Sequence, residues 1–155
     1  MIYIIQGDIF GAPHSYSFGQ CISKDTRWGM FKGIAVDFLK YFPSLRVLRE
    51  RVVTLGTAEP VIVGERVIYN LISKPTYWSK PTLSCLRDCL ISMQMHACDN
   101  EVKDVAIPLI GAGLDGLDFN GEVFPILKEV FGSSLVCLHI YHQGQLGCNR
   151  FVPIF

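Results

Sequence analysis

Apolar segments with strand-like or helical spacing alternate along almost the whole chain, with no linker, repeat or low-complexity tract between them. The spacing predicts strands over 1–6, 19–23, 60–63, 66–72, 105–110 and 135–141, and helices over 33–42, 79–97 and 121–131. Strands that alternate with helices build a mixed, largely parallel sheet with helices on both faces. The chain is therefore predicted to be an α/β protein, a three-layer α/β/α sandwich around a central mixed sheet.

The length and charge of the chain favour one globular domain with a well-filled core. A domain of 155 residues buries about two thirds of the surface that its unfolded chain exposes. Half of the residues are apolar, and fourteen basic residues balance fourteen acidic ones. No overall charge therefore draws the protein to nucleic acid or to an anionic membrane, and any anion that it binds must be recognised by local groups.

The amino terminus is predicted to be a strand rather than a targeting segment. Its apolar run, Met1–Ile5, lacks a basic region and ends at Gln6-Gly7-Asp8. No apolar run reaches the roughly 18 residues that a membrane-spanning helix needs. We expect no signal peptide and no contact with a membrane.

The six cysteines are expected to be reduced thiols. None forms a CxxC pair, and five of the six lie in apolar or periodic segments, where a reduced cysteine behaves as a small apolar residue. Cys85 and Cys89 are one helical turn apart with His96 further along, but zinc sites usually carry a tighter spacing. We therefore expect no metal, and an intracellular protein, cytoplasmic or nuclear. The histidines show no triad pattern and are assigned structural or surface roles: His14, His96, His139 and His142.

Ligands of such sheets bind beyond the carboxyl ends of the strands, so the loops that follow strands are the candidate binding segments. After the first strand, Gly7 lets the backbone turn and Asp8 follows at once. Gly-Asp is also a common turn pair, so the residues alone leave a structural role open.

A second candidate segment, 27–35, passes through Gly29 and Gly33 into a helix. The first N–H groups of a helix have no partner within it, and they attract negative charge. Because Arg27 and Lys32 lie nearby in the sequence, this segment is predicted to bind an anion.

The third segment, 110–116, follows an apolar strand and contains Gly111, Gly113 and Gly116. These glycines allow the backbone to approach a ligand closely and to present N–H groups to phosphate oxygens. The segment also fits GxGxxG, so a Rossmann dinucleotide site is an alternative. Only 39 residues follow Gly116, and the acidic residue expected about 20 residues further on is missing, which argues against that alternative.

The fourth segment, 70–74, ends an otherwise apolar strand with Lys74. Most lysines at strand ends are only solvated. A lysine after one strand and an aspartate, Asp115, in a glycine-rich loop after another can face one cleft, however. This makes the pair a candidate for catalysis.

Together these residues resemble the macro domain family. The resemblance rests on three motifs: Gly7-Asp8-Ile9, Gly29-x-x-x-Gly33-Ile34-Ala35 and Gly111-Ala112-Gly113-Leu114-Asp115. Four segments are most similar to the terminal ADP-ribose protein glycohydrolase branch: 20–23, 71–74, 80–82 and 107–115. Trp28-Gly29 and Gly33-Ile34-Ala35 resemble the more distant yeast ADP-ribose 1″-phosphate phosphatase. The resemblance covers about residues 1–142, which are expected to form an ADP-ribose-binding macro domain.

The resemblance also implies the site residues. Lys74 and Asp115 match the family's catalytic lysine and aspartate. Asp8 would hydrogen-bond the adenine amino group, and Ile9 would lie beside the ring. The loops 29–35 and 111–114 would hold the diphosphate and the distal ribose. The implied substrate-binding set is Gly7, Asp8, Ile9, Cys21, Ile22, Ser23, Gly29, Gly33, Ile34, Ala35, Ser73, Ile110, Gly111, Ala112, Gly113 and Leu114.

The activity implied by the resemblance is removal of mono-ADP-ribose from acidic side chains, with esters such as O-acetyl-ADP-ribose as further substrates. In that branch the lysine amine attacks the anomeric carbon, the carboxylate of the modified residue leaves, and the aspartate transfers protons. A phosphatase acting on ADP-ribose 1″-phosphate and a non-catalytic ADP-ribose reader are the alternatives, and the joint presence of Lys74 and Asp115 favours an enzyme.

The expected partners are ADP-ribose and ADP-ribosylated protein, with ADP-ribosylated nucleic acid left open. We expect a monomer that needs no cofactor. Two segments depart from the family pattern. The loop 29–33 carries Met30-Phe31-Lys32 between its glycines and is longer than in the nearest relatives. The tail 143–155 has no counterpart, and its apolar end is expected to pack on the domain.

Overall fold

The structure, a computed structural model, describes residues 1–26 and 33–144 and the backbone of 152–154. Seven strands within these residues form one mixed sheet. They are β1 (Ile2–Gln6), β2 (Ser17–Ser23), β3 (Ala58–Val63), β4 (Arg66–Lys74), β5 (Asp104–Ile107), β6 (Cys137–His142) and β7 (Val152–Ile154). Their order across the sheet is β3-β4-β2-β5-β6-β1-β7. The inner pairings are parallel, whereas the edge strands β3 and β7 pair antiparallel with β4 and β1.

Helices cover both faces of the sheet. In the described part of the chain the α-helices are α1 (Ile34–Tyr41), α2 (Leu83–Asp99) and α3 (Phe124–Phe131). The shorter helical segments are Ile9–Gly11, Pro43–Glu50, Gly113–Asp115 and, leading into α3, Phe119–Val123. No helix in the described residues is long and apolar enough to cross a membrane.

Alternation along β4 divides its side chains between the two faces of the sheet. Tyr69 and Leu71 pack with α2 and α3 in one buried apolar layer. Ile68 and Ile72 pack with α1 and Pro43–Glu50 on the opposite face. Since each face of the sheet is covered by its own helical layer, the predicted three-layer α/β/α fold is confirmed.

Several element boundaries differ from the prediction by a few residues, and β7 was not predicted as a strand. Two of these differences have identifiable physical reasons. The helix predicted over 79–97 begins only after Thr82, whose side chain accepts a backbone N–H of the first turn. Ser79 instead bonds Thr76 in the preceding turn. The strand predicted over 105–110 ends at Ile107, because Pro108 has no N–H to donate to a neighbouring strand.

The strand β7 lies beside the first strand of the chain. Ile2 is opposite Ile154 and Ile4 is opposite Val152 in an antiparallel pairing. This pairing gives β1 a neighbour on each side, because β6 occupies its other edge. The division of the chain into a domain over 1–142 and a tail over 143–155 stays a prediction.

The buried face of α2 can be tested by cavity formation. Leu90 is fully buried in the layer between α2 and the sheet. Leu90→Ala should lower the free energy of unfolding by about 2–5 kcal/mol, because it removes buried methyl groups and leaves a cavity. Met95→Ala, on the exposed side of the same helix, should change it by about 0.5 kcal/mol or less. Urea unfolding followed by circular dichroism measures both, and equal losses would contradict this orientation of α2.

Candidate active site

A cleft of about 840 Å³ opens at the carboxyl ends of the parallel strands. Five strand ends contribute to its wall: Gly7 after β1, Ser23 of β2, Lys74 of β4, Pro108 after β5 and Tyr141 of β6. Parallel strands end at the same edge of a sheet, so residues far apart in the sequence meet there. The fold therefore gathers the candidate loops around one cavity.

The structure brings fourteen of the predicted site residues to this cleft. They are Gly7, Ile9, Cys21, Ile22, Ser23, Gly33, Ile34, Ala35, Lys74, Ile110, Gly111, Ala112, Gly113 and Asp115. Asp8 and Ser73 do not line it. Gly29 and the side chain of Leu114 lie outside the described part of the structure. The segment Met30-Phe31-Lys32 also lies outside it.

Asp8 has a local structural role in the turn after β1. Its side chain is exposed, and Oδ1 accepts the backbone N–H of Phe10 at 3.0 Å, which caps the short helix Ile9–Gly11. Ile9, in contrast, is buried and lines the cleft. Ser73 is buried without reaching the cleft surface. The adenine contact implied for Asp8 stays a prediction.

The amino terminus of α1 opens on the cleft. Gly33, at φ 65°, has no side chain to cap the helix, and Ile34 and Ala35 follow it along the wall. The first N–H groups of a helix have no partner within it, and the helix dipole makes this end attractive to negative charge. This wall therefore offers main-chain donors that an anion could accept, and anion binding by the segment stays a prediction. Asp37, in the same turn, also lines the cleft.

The glycine-rich loop after β5 uses its glycines in two different ways. Gly111 and Gly113 have φ values of 76° and 65°, in the left-handed region that favours glycine. A Cβ on Gly111 would lie 2.8 Å from Leu117 Cδ1 and 3.2 Å from Val123 Cγ2, whereas one on Gly113 would meet nothing within 4 Å. Gly111 is thus held by packing beneath the loop, and Gly113 leaves open space where a ligand can approach the backbone.

Lys74 and Asp115 form an ion pair in the cleft. Lys74 Nζ donates to Asp115 Oδ1 at 2.5 Å and to the Tyr77 carbonyl at 3.1 Å. The two side chains are only 13% and 14% exposed, so water and salt screen their interaction weakly. The short distance between the nitrogen and the oxygen allows a proton to pass between the two groups.

The segment 75–79 forms one rim of the cleft, and its role was not predicted from the sequence. Tyr77 and Trp78 both line the cleft. The carboxylate of Asp25 accepts the Tyr77 N–H at 3.2 Å and a hydrogen bond from the Ser23 hydroxyl. An aromatic pair three residues after a strand-end lysine was the available signal, but it has no periodicity and matches no motif. The other lining residues that were not predicted are Asp37, Ser79, Pro108, Leu109, Tyr141, His142 and Gln143.

Cys21 lies on the cleft wall near the ion pair. Burial raises the pKa of its thiol to about 12, and the negative charge of Asp115 acts in the same direction. The thiol is therefore neutral at physiological pH. Because the thiolate is the nucleophilic form, Cys21 is not suited to nucleophilic catalysis.

The histidines lie in different environments: His14 is exposed, His96 is half-buried, and His139 and His142 are buried. His142 lines the cleft, and its Nδ1 accepts the Gly144 N–H at 3.1 Å. His139 bonds Asp104 at 2.9 Å, and burial lowers its pKa despite that carboxylate. His96 bonds a buried tyrosine hydroxyl. Within residues 1–26 and 33–144, no group of three or more His, Cys, Asp or Glu side chains is placed to hold a metal ion.

Comparisons with known proteins agree with this architecture. No protein-family model matches the chain. The chain is 36% identical over 140 residues to the ADP-ribose glycohydrolase OARD1 of Bos taurus, covering 90% of each sequence. The human protein of the same name is 35% identical over 140 residues, again with 90% coverage of each. Among solved structures, the macrodomain of Mycobacterium tuberculosis DarG has a TM-score of 0.82 at 24% identity, covering 91% of this chain and 97% of that one.

The three-layer fold and the glycine-lined cleft at the strand ends define a class of nucleotide-binding α/β domains. The sequence identity over nine tenths of the chain specifies the family within that class. The protein belongs to the macro domain family, in the branch of the ADP-ribose glycohydrolases, and the predicted resemblance is confirmed.

The two glycines of the loop after β5 should respond differently to a methyl group. Gly111→Ala combines a left-handed backbone with a clash against Leu117, so it should lower the free energy of unfolding by about 2–5 kcal/mol. Gly113→Ala adds no clash and should cost about 1–2 kcal/mol. Chemical denaturation compares the two variants. A larger loss for Gly113→Ala would contradict the packing described here.

The neutral state of Cys21 can be tested by alkylation. Iodoacetamide reacts with the thiolate, so at pH 8 Cys21 should be modified at least about tenfold more slowly than the exposed Cys98. Peptide mass spectrometry of time points gives both rates in one experiment. Modification of Cys21 at the rate of Cys98 would show that its thiol is neither buried nor neutral.

Proposed function

We propose that this chain is an ADP-ribose-binding macro domain hydrolase that removes mono-ADP-ribose from acidic side chains. Small esters such as O-acetyl-ADP-ribose would be further substrates. The observation that carries the proposal is the largely buried Lys74–Asp115 pair in the cleft. An ADP-ribose reader needs main-chain donors and a pocket, but it does not need an amine and a carboxylate in contact.

The cleft offers a separate environment to each part of ADP-ribose. The adenine would lie at the end formed by Gly7 and Ile9, which both line the cleft. The diphosphate would lie between the start of α1 and the loop 111–114, where helix N–H groups and the open space at Gly113 favour phosphate oxygens. The distal ribose would then reach the ion pair.

Lys74 is the proposed nucleophile. Its unprotonated amine would attack the anomeric carbon of the distal ribose, and the bond from that carbon to the ester oxygen would break, with the carboxylate of the modified residue leaving. Opening of the ribose would give an imine between Lys74 and the sugar. Water would then hydrolyse this imine, which releases ADP-ribose and restores the lysine.

Asp115 is the proposed proton carrier. An amine that carries a third proton cannot attack carbon, so Lys74 must first lose a proton. Asp115 Oδ1 is 2.5 Å from Nζ and can accept it directly. The same carboxyl group can return the proton during imine formation and hydrolysis. In the free protein Lys74 Nζ is held by the Asp115 carboxylate, so substrate binding would be the event that frees the nucleophile.

We infer further that the modified partner is a protein and that the chain acts as an intracellular monomer. The free cysteines in the described part of the chain are consistent with a reducing compartment. The ADP-ribose-binding unit would comprise residues 1–142. ADP-ribosylated nucleic acid and ADP-ribose 1″-phosphate are the alternative substrates that the assays must include.

Substitution of the ion pair separates catalysis from binding. Lys74→Ala should lower turnover of glutamate-linked ADP-ribosyl peptide at least about a thousandfold, while ADP-ribose affinity measured by calorimetry changes only a few fold. Lys74→Arg keeps the positive charge beside Asp115 but should be equally inactive, because a guanidinium does not act as a nucleophile. Asp115→Ala should also stop turnover. Borohydride should trap an adduct on Lys74 in the wild type.

The control is Lys128→Ala, an exposed lysine on α3, which should behave as the wild type. Full activity of Lys74→Arg would eliminate the covalent mechanism and leave Asp115 with an activated water. Release of phosphate from ADP-ribose 1″-phosphate, without cleavage of the ester, would identify a phosphatase. A wild type that binds ADP-ribose but hydrolyses none of these substrates would be a reader.

A further inference from the structure

The rim segment 75–79 carries two exposed aromatic side chains. Trp78 is 72% exposed and Tyr77 is 42% exposed, and their rings meet edge to face with centroids 5.0 Å apart. Tryptophan is usually well buried in a folded domain, because it has the largest apolar surface to remove from water. An exposed tryptophan at the mouth of a cleft therefore marks a candidate contact surface.

The turn that presents this pair is held by hydrogen bonds. Ser79 Oγ accepts the Thr76 N–H at 3.1 Å and donates to the Thr76 carbonyl at 2.8 Å. The Tyr77 N–H is donated to Asp25, and the Tyr77 carbonyl accepts from Lys74 Nζ. A side chain on a turn fixed in this way loses little backbone entropy when it binds a partner. The aromatic pair is therefore preorganised for binding a partner.

The position of the pair relative to the reaction defines what it can touch. This step rests on the proposed function, which places the distal ribose at Lys74 and Asp115. Tyr77 is in direct contact with Lys74 through its carbonyl, and Trp78 follows it on the rim. ADP-ribose itself would occupy the cleft from Gly7 to Asp115. The group on the other side of the scissile bond would then have to pass over the rim.

The charges around the rim favour an acidic peptide as the group that is attached to ADP-ribose through the scissile bond. Lys80 directly follows the rim segment and is exposed. Lys24 is also exposed, and its backbone N–H is bonded to the carbonyl of Lys74 at the strand end beside the rim. The carboxylate of Asp25 is directed inward, since it accepts from Ser23 and from the Tyr77 N–H. An acidic polypeptide would therefore meet two cations and an apolar surface.

A nucleic acid strand fits this surface less well. Proteins that bind nucleic acid usually have a high isoelectric point or a stripe of many basic residues that follows the phosphates. This chain has an isoelectric point near 6.9 and no net charge. Two lysines can complement a short acidic segment, whereas a strand of phosphates needs more.

We propose that Tyr77, Trp78, Lys24 and Lys80 form the surface that binds the polypeptide carrying the ADP-ribosylated carboxylate. Trp78 contacts apolar and main-chain atoms next to the modified residue, and the lysines contact neighbouring acidic side chains. This surface makes the enzyme selective for protein-linked ADP-ribose over small acyl esters that have the same reacting bond.

The test compares two substrates that differ only beyond the scissile ester. One is O-acetyl-ADP-ribose, and the other is a synthetic peptide with acidic flanking residues and ADP-ribose on one glutamate. For each variant the ratio of kcat/KM for the peptide to kcat/KM for the acetyl ester is measured. Trp78→Ala should lower this ratio by about tenfold, the loss typical of an aromatic residue at the centre of an interface. Trp78→Phe should lower it less.

Two further variants complete the design. Leu135→Ala removes another highly exposed apolar side chain, outside the cleft, and should leave the ratio unchanged. Lys24→Gln combined with Lys80→Gln should lower turnover of the acidic peptide but not of a peptide with neutral flanking residues. An equal loss of turnover on both peptides would show that the lysines do not contribute to the proposed surface.

The outcomes separate this proposal from the proposed function. An unchanged ratio in Trp78→Ala, or equal losses on both substrates, overturns the peptide surface while the hydrolase stands. If Trp78→Ala lowers kcat/KM for an ADP-ribosylated single-stranded oligonucleotide but not for the peptide, the surface binds nucleic acid. That result also overturns the peptide surface. If the wild type hydrolyses neither ester, the hydrolase proposal fails. In that case calorimetry still tests the peptide surface. Trp78→Ala should weaken the affinity for the intact peptide conjugate but not the affinity for free ADP-ribose.

Discussion

The parallel pairing of β2 with β4 is the contact on which the site depends. Along most of its length the register is regular, but between Ile22 and Ser23 it shifts, so that Ser23 lies opposite Lys74. A bulge of this kind redirects the side chains that follow it and ends regular pairing. It leaves Ser73 buried and lets Lys74 extend to Asp115, in the loop after β5. A regular ladder would have placed Ser73 opposite Ser23 at this point.

The cleft contains both neutral main-chain donors and a charged pair of side chains. Main-chain groups at the start of α1 and in the loop 110–114 supply donors for an anion without a cluster of basic side chains, which agrees with the zero net charge of the chain. Lys74 and Asp115 form an ion pair in the cleft, and under the proposed function they would supply the reacting groups once a substrate is bound. Under the proposed function the main-chain dipoles would bind the nucleotide, and the ion pair would take part in the reaction.

Sequence periodicity predicted the strands and helices well where an element is long and buried. β4 is apolar along most of its length because both of its faces are buried, and α2 carries an apolar stripe because one of its faces is buried. The errors lie at the ends, where single hydrogen bonds decide: Thr82 rather than an earlier residue caps α2, and Pro108 ends β5. The rim at Tyr77 was missed because it matches no motif and because part of its order comes from Asp25, a residue 52 positions away in the sequence.

The sequence by itself determined the layers of the fold and the loops that could meet a ligand. Periodicity reflects burial, and a glycine such as Gly111 reflects a backbone conformation, and both are local properties. The tertiary structure decided which of those groups meet. The contact between Lys74 and Asp115 depends on strand order and on one register shift, and the exposure of Trp78 depends on where a turn is anchored. These are long-range properties, because they arise only when segments distant in the sequence pack at one edge of the sheet.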